Sequence, residues 1–344
     1  MKEYSILITG ATGSIGREVL KQLYAKQSPS SITVFVQASK KNKKIMRDYP
    51  GINLFHGDIT NLEEVKLACT NQNYVIHLAA IIPPLADDFP EHTKRVNTEG
   101  TKNVITALEE VSPNAFLLYS SSVACYGDRK NQPDIYTTDQ LIPSFGDEYA
   151  VTKIAAEKLI RESKLNWSIY RLSAIMGIGN HKISKLMFHM PLDTMMEICT
   201  IEDTARAFIN SIGKDNQLLH NTYNLGGGES CRITYKAFIT KAFKAYGMGK
   251  VNFPPYTFAE INFHCGNYAD GHLLENILEF RSDNIDSYFE RFSAAVPGIQ
   301  RFFTKLVNVP VKKVLLRSSE PLHAYKKQDK EMMKRFFGIE SDPK

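Results

Sequence analysis

Along residues 6–173, short apolar runs alternate with segments whose apolar residues recur at helical spacing. The runs SITVFVQ (31–37), INLFHGDI (52–59), YVIHLAA (74–80), AFLLYSSS (115–122) and WSIYRLS (167–173), with an opening run at 6–8, have the length of strands. Between them lie helical patterns through Ile15, Val19, Leu20 and Leu23, from Leu62, over 96–109, and from Glu148. Parallel strands need a long crossover between them, so this alternation predicts a doubly wound parallel sheet of the Rossmann type, an α/β fold. After Gly177 the rhythm breaks, returns with the helix IEDTARAFINSI and the strand TYNLGGG, and gives way beyond Glu229 to helices rich in Phe and Tyr. The expected organisation is an α/β domain of residues 1–171 plus 201–228 and a smaller, mostly helical substrate portion of 172–200 plus 229–344.

In an open parallel sheet, ligands bind outside the carboxyl ends of the strands. The first such end carries Gly10, Gly13 and Gly16 between a strand and a helix. Missing side chains there permit a sharp turn, close approach of a pyrophosphate and tight packing of helix on strand, while the helix start offers free amides to phosphates. The turn therefore predicts dinucleotide binding. At the end of the second strand an acidic residue would hold the adenosine ribose of NAD. Gln37, Ala38, Ser39, Lys40 and Lys41 stand there instead, which favours NADP over NAD. The lysines at 40–44 read equally as a solvated loop.

The stretch DEYAVTK (147–153) sets Tyr149 four residues before Lys153, on one helical face. A free tyrosine titrates near pH ~10 and is a poor base at neutrality unless a cation stabilises its phenolate. Lys153 supplies such a cation, so the pair suits proton exchange with an alcohol or a carbonyl.

Composition narrows the field. Hydrophobic residues make up 43% and charged residues 23%, ordinary for a globular chain, and the net charge of +5 comes without a long basic face interleaved with aromatics. Nucleic-acid binding is not expected. Cys69, Cys125, Cys199, Cys231 and Cys265 are odd in number and lack CxxC spacing, which predicts reduced thiols in a cytoplasmic protein. The chain opens directly into a strand, with no signal-peptide pattern and no apolar run long enough to span a bilayer. His264, Cys265 and His272 lack metal-ligand spacing and read as packing or surface residues, so no metal is expected. A helical stripe, Ile285, Tyr288, Phe289, Phe292, then Ile299, Phe302, Phe303 and Leu306, reads first as core or dimer contact, with membrane attachment or an apolar pocket as alternatives.

With these motifs in view, the sequence resembles the extended short-chain dehydrogenase/reductases, also called the NAD-dependent epimerase/dehydratase family. TGATGSIG is similar to its TGxxGxxG fingerprint, GDI to its adenine-contacting segment, HLAA to its strand beside the nicotinamide ribose, and RVNTEGTKNV to its VNxxGTxNV helix. SSSVACYG resembles SSxxxYG, EYAVTK resembles YxxxK, YRLSAIMG resembles RPxxxxG, and YNLGGGE the late glycine turn. The resemblance implies Tyr149 as general acid/base, Lys153 as its activator and Ser122 as the hydroxyl that orients the substrate. It implies cofactor contacts from Thr9, Gly10, Thr12, Gly13, Ser14, Ile15 and Gly16, from Gln37, Ser39 and Lys40, and from Asp58 and Ile59 at the adenine. Leu78, Ala79, Ala80, Ser120, Tyr149, Lys153, Leu172 and Ser173 complete the implied set. Asp203 is expected to structure the domain junction, Asn97 to bond loop backbone, and the protein to form a homodimer.

Two departures bear on the reaction. Family dehydratases carry Asp-Glu directly after the catalytic hydroxyl, where this chain has Val123 and Ala124. UDP-sugar epimerases show Arg-Tyr-Phe-Asn after the sixth strand, where it has Arg171, Leu172, Ser173 and Ala174. The expectation is an NAD(P)-dependent oxidoreductase of a small-molecule carbonyl or secondary alcohol. A sugar epimerase that retains its cofactor is the alternative, and an NADP-binding regulatory protein without turnover the alternative of another class.

Overall fold

The computed structural model describes residues 4–179 and 185–339. The chain opens with β1 (Ile6–Thr9), α1 (Ser14–Tyr24), β2 (Ile32–Val36), α2 (Lys40–Met46), β3 (Asn53–His56), α3 (Leu62–Cys69) and β4 (Tyr74–His77). It continues through α4 (Leu85–Asp88), α5 (Pro90–Lys94), α6 (Gly100–Val111), β5 (Phe116–Ser122), β6 (Asp134–Ile135), α7 (Glu148–Glu162) and β7 (Asn166–Leu172). Then come β8 (Ala174–Met176), β9 (Met195–Thr200), α8 (Ile201–Asn210), α9 (Asp215–Leu218), β10 (Asn221–Leu225), β11 (Arg232–Thr234) and α10 (Tyr235–Tyr246). The last elements are β12 (Asn267–Tyr268), α11 (His272–Leu278), α12 (Ile285–Ala295), α13 (Gly298–Leu306), α14 (Asn308–Leu316), α15 (Glu320–Lys327) and α16 (Lys330–Phe337).

Seven strands form one sheet in the order β10-β7-β5-β4-β1-β2-β3, and every pairing in it is parallel. Successive side chains of β1 serve opposite faces. Ile6 and Ile8 enter a core covered by Val19, Leu20 and Leu23 of α1 and Phe208 of α8, while Leu7 joins Val65 of α3 and Val104 and Leu108 of α6. Burial on both faces explains why these strands read as continuous apolar runs. The sheet grows outward from β1 through β2 to β3, then resumes on the other side with β4. That reversal opens a crevice at the carboxyl ends of β1 and β4.

The expected doubly wound sheet is present, with four local differences. Residues 40–46 form α2 rather than a solvated loop, because the Ser39 hydroxyl accepts from the Asn42 amide at 3.0 Å and caps the helix. The helix expected over 96–109 begins as a π-helical turn, Arg95–Glu99, continuing from α5 into α6. Residues 195–200, where the rhythm looked irregular, form β9, the centre of a three-stranded sheet with β8 and β11. Its alternation is hidden because Glu197 is itself buried, bonded by Arg232 Nε at 3.1 Å and by the Gly228 and Tyr268 amides at 2.9 and 3.0 Å. Finally, the aromatic stripe divides: Tyr288, Phe289 and Phe292 are buried, whereas Ile299, Phe302, Phe303 and Leu306 face solvent.

Two polar networks tie the layers together. Asp203, near the start of α8, accepts from the Ser282 and Asp283 amides at 2.9 and 3.0 Å and from Arg206 at 2.5 Å, linking α8 to the turn before α12. Glu157 of α7 takes Arg171 of β7 in a paired contact, Nε at 2.9 Å and Nη2 at 2.8 Å, and accepts from the Ser121 hydroxyl at 2.5 Å. Burial pushes the Glu157 carboxyl up, but the Arg171 guanidinium outweighs it and holds the group below its ordinary range. Removing one partner of a buried pair strands the other charge. Glu157→Ala is expected to cost about 3–5 kcal/mol of unfolding free energy in urea melts. The depressed pKa adds a pH signature: its stabilisation is present above the unfolded glutamate pKa and is lost as pH falls through the folded one. The wild-type minus Glu157→Ala difference should therefore shrink on acidification.

Candidate active site

The β1–α1 turn is built for close approach. Gly10 has φ +73°, and a Cβ there would lie 2.6 Å from the Ala79 amide nitrogen; a Cβ at Gly16 would lie 2.1 Å from the Gly10 carbonyl oxygen. Gly13 is the N-cap of α1 and supplies no side chain to the helix start, so the first amides of α1 are not capped from within. Thr12, Gly13, Ser14 and Ile15 remain at least partly exposed around that start. A backbone cradle closed to any Cβ, leading into an uncapped eleven-residue helix, fits a pyrophosphate.

The turn is held by a buried chain of hydroxyls around His77. Thr101 Oγ1 donates to the Asn97 carbonyl at 2.6 Å, so it accepts from His77 Nε2 at 3.0 Å. His77 Nδ1 then accepts from the Thr9 hydroxyl at 2.6 Å, and Thr9 Oγ1 accepts from the Ala79 amide at 3.3 Å. Burial, with the Lys153 charge second, lowers the His77 pKa to about 3, which favours the neutral ring that this order of bonds uses. Asn97 bonds the amide and the carbonyl of Ile81 at 2.8 and 3.0 Å, which shapes the segment after Leu78, Ala79 and Ala80.

The other expected cofactor residues share the same edge of the sheet. Gln37 is exposed beyond β2, Ser39 caps α2 and Lys40 begins it. The Asp58 carboxylate accepts from the Thr60 amide and hydroxyl, both at 2.9 Å, while Ile59 packs against Gly100. Ser120 donates to the His77 carbonyl at 3.1 Å. Ser122 lies in register with Leu172, and the next residue, Ser173, carries a buried hydroxyl with no hydrogen-bond partner among the described residues.

Asp147 caps α7 by accepting from the Ala150 amide at 2.9 Å, and the helix then lays Tyr149, Lys153 and Glu157 along one buried face. Tyr149 sits beside Ser122, and both line one cavity. Burial pushes the Tyr149 phenol well above its ordinary range, and the neighbouring Ser122 hydroxyl offsets only part of this. Lys153, 2% exposed, donates to the Ser120 carbonyl at 2.6 Å and to the Tyr119 hydroxyl at 3.3 Å, and its Nζ lies 5.8 Å from the Tyr149 ring centre. Burial rather than the lysine charge dominates the phenol here, since Lys153 Nζ is held to the strand end. The raised Tyr149 pKa favours the neutral phenol, and Lys153 Nζ is anchored to the strand end.

Tyr149 and Ser122 open onto a cavity of about 480 Å³. Its walls are apolar: Met176, Met187, Met190 and Met196, Phe238 and Phe243 of α10, and Tyr288, Phe289 and Phe292 of α12. One end is polar. His264 Nδ1 lies 2.7 Å from Asp147 Oδ2, and Asp87, His189 and Arg335 line the same space. Burial raises the Asp147 carboxyl, but His264 outweighs it and holds the group below its ordinary range; Asp87 is raised by burial and by Asp147. Sequence reasoning missed this wall. His264 stands 117 residues from Asp147 along the chain, and the only local signal was Asp147 itself, an N-cap residue ahead of a helix. Cys265 lines the cavity, whereas His272 lies at the start of α11.

A family model described as the NAD dependent epimerase/dehydratase family matches residues 6–226. Among curated proteins, a 3-beta-hydroxysteroid dehydrogenase of Mycolicibacterium neoaurum is 26% identical over 229 residues, covering 63% of this chain and 58% of that protein. A decarboxylating sterol-4-alpha-carboxylate 3-dehydrogenase of Candida albicans is 28% identical over 191 residues, 52% of this chain and 53% of that one. An inverting UDP-N-acetylglucosamine 4,6-dehydratase of Campylobacter jejuni is 28% identical over 158 residues, 45% of this chain and 42% of that one. The chain thus matches less than two thirds of the length of each of these relatives. Among solved structures, UDP-glucose 4-epimerase of Thermus thermophilus in complex with NAD superposes with a TM-score of 0.67 at 19% identity, covering 85% of this chain and 99% of that one. A putative epimerase of Burkholderia cenocepacia gives 0.69 at 20% identity, covering 87% and 98%.

Burial lowers the Lys153 pKa to about 8. Between that value and the free-lysine pKa the folded protein binds fewer protons than the unfolded chain, so unfolding free energy rises with pH across this interval. Lys153→Met should abolish that part of the rise, measured as urea-unfolding free energy against pH for the two proteins.

Proposed function

Because the chain belongs to the NAD-dependent epimerase/dehydratase family, we propose that it is an NAD(P)-dependent oxidoreductase acting on a bulky apolar molecule with a secondary alcohol or ketone. The observation that carries this reading is the meeting of Ser122 and Tyr149 with a cavity walled by methionine and aromatic side chains. A nucleotide sugar brings many hydroxyls and two phosphates, which such walls do not satisfy. A fused-ring or long-chain apolar body with one oxygen at the Tyr149 end suits them. The hydroxysteroid and sterol dehydrogenases among the relatives support the same class.

When bound, a nicotinamide cofactor supplies or accepts the hydride. Gly10, Gly13 and the start of α1 would take the pyrophosphate. Thr12, Ser14, Ile15, Asp58, Ile59, Ala79 and Ala80 would flank the rest, and the unpaired Ser173 hydroxyl would serve the nicotinamide end. Gln37, Ser39 and Lys40, with no carboxylate among them, favour NADP. Ser122 holds the reacting oxygen of the substrate and Tyr149 gives it a proton as the carbonyl is reduced, or takes that proton back in the reverse direction. The neutral Tyr149 phenol is already in the form reduction requires. Lys153 fixes the Ser120 end of β5 and places a positive charge behind the phenol, where it would stabilise the phenolate left when the proton is given up. Val123 and Ala124, both buried, offer no acid or base for water elimination. Residues 172–200 plus 229–344 form the substrate portion in this reading, and pairing through α7 would make a homodimer.

The family name also covers epimerases, and a protein that keeps NAD bound and returns the hydride to the same carbon is the second reading. An NADP sensor without turnover is disfavoured by the complete Ser122, Tyr149 and Lys153 set. Tyr149→Phe should bind NADPH as the wild type does, in preference to NADH, while its kcat on a ketone falls by about 10²–10⁴. Fluorescence titration and steady-state rates check both. Unchanged turnover would remove Tyr149 from the chemistry, and near-stoichiometric NAD released on denaturing the purified protein would move the assignment to the epimerase.

A further inference from the structure

We propose that α13 and α14 form a docking surface for the headgroup region of a bilayer that contains anionic phospholipid. Ile299, Phe302, Phe303 and Leu306 fall at i, i+3, i+4 and i+7, the spacing of a helix that buries one face, yet they are 71, 61, 58 and 65% exposed. Val307, Val309 and Val314 continue the apolar surface at 46, 59 and 59% exposed, and neither helix has a buried residue. An amphipathic helix that turns its apolar stripe to solvent calls for something to cover it.

Charge identifies the cover. Residues 298–317 hold five cations, Arg301, Lys305, Lys312, Lys313 and Arg317, and no acidic residue. None of the five forms an ion pair among the described residues; Arg301 bonds the Ala245 and Ser293 carbonyls, and Lys312 the Lys250 carbonyl and the Asn252 side chain. A second copy meeting this surface across a two-fold axis would set these cations against their own copies, and residues 298–317 supply no carboxylate to offset them. A layer of lipid phosphates with hydrocarbon beneath matches both the charge and the exposed phenylalanines. Among the described residues no helix is long and apolar enough to cross a membrane, so the attachment is to the surface.

The two helices also pack behind the cavity wall. Arg301 ties α13 to the end of α10, and Val311 and Leu315 of α14 pack on the apolar cluster that includes Phe243 and Phe292. Docking would therefore bring the cavity wall to the bilayer, where an apolar substrate is concentrated. The docking does not depend on the oxidoreductase reading, and its test involves no turnover.

The test is cosedimentation of the full chain with phosphatidylcholine vesicles, with and without phosphatidylserine. The protein should pellet with the phosphatidylserine vesicles, less so as salt rises. Phe302→Ser/Phe303→Ser and Lys305→Glu/Lys313→Glu should each weaken binding by at least about tenfold. Their positions are exposed, so circular dichroism and NADPH titration should match the wild type. Failure to pellet with the anionic vesicles, or wild-type binding by either variant, overturns the proposal. So does a dimer in sedimentation velocity that Phe302→Ser/Phe303→Ser converts to monomer, because a second copy would then be the cover.

Discussion

One face of α7 sets three polar side chains, Tyr149, Lys153 and Glu157, against the carboxyl end of a buried sheet, and each must find a partner there. Tyr149 meets Ser122, Lys153 meets the Ser120 carbonyl and the Tyr119 hydroxyl, and Glu157 meets Arg171 and Ser121. These partners lie on β5 and β7, so the helix cannot rotate or slide without leaving a buried charge unpaired. The position of the Tyr149 phenol relative to the sheet edge follows from this constraint.

The same edge carries the backbone cradle. Gly10 approaches the Ala79 amide because neither side of the turn has atoms in the way, and the Thr9, His77 and Thr101 chain fixes the strand ends. Above this rigid edge the walls change character. Met176, Met190, Phe243 and Phe292 come from segments remote in the chain and enclose an apolar space that ends at Tyr149. In the proposed function, chemistry is held on the sheet and substrate shape is set by the later helices. The exposed stripe of α13 extends that apolar character to the outer surface of the same helical layer.

Much of this was legible in the sequence because it is local. A strand, a glycine turn and a helix within residues 6–24 announce the cradle, and a Tyr-Lys spacing of four within DEYAVTK announces the phenol. What escaped was set by distance or by context. β9 hid because Glu197 is buried against Arg232 and does not alternate as an outward polar residue would. The cavity walls join residues that have no neighbourly spacing. The pairing of His264 with Asp147 is a tertiary event with no local pattern behind it. Phe292 and Phe302 share a helical periodicity, yet one is buried and the other exposed, since periodicity shows that a helix has an apolar face and not which way it turns.

The proposed reaction depends on an apolar cavity meeting a Ser122–Tyr149 pair beside a nicotinamide site. Its most direct test gives the purified protein a 3β-hydroxysteroid or its ketone, and separately a UDP-hexose, with NADP(H) or NAD(H), and follows nicotinamide fluorescence together with the product. Cofactor turnover coupled to interconversion of the steroid alcohol and ketone, with none on the UDP-hexose, is the predicted result. Conversion of the UDP-hexose to its epimer without net change in cofactor, and no reaction of the steroid, would contradict it.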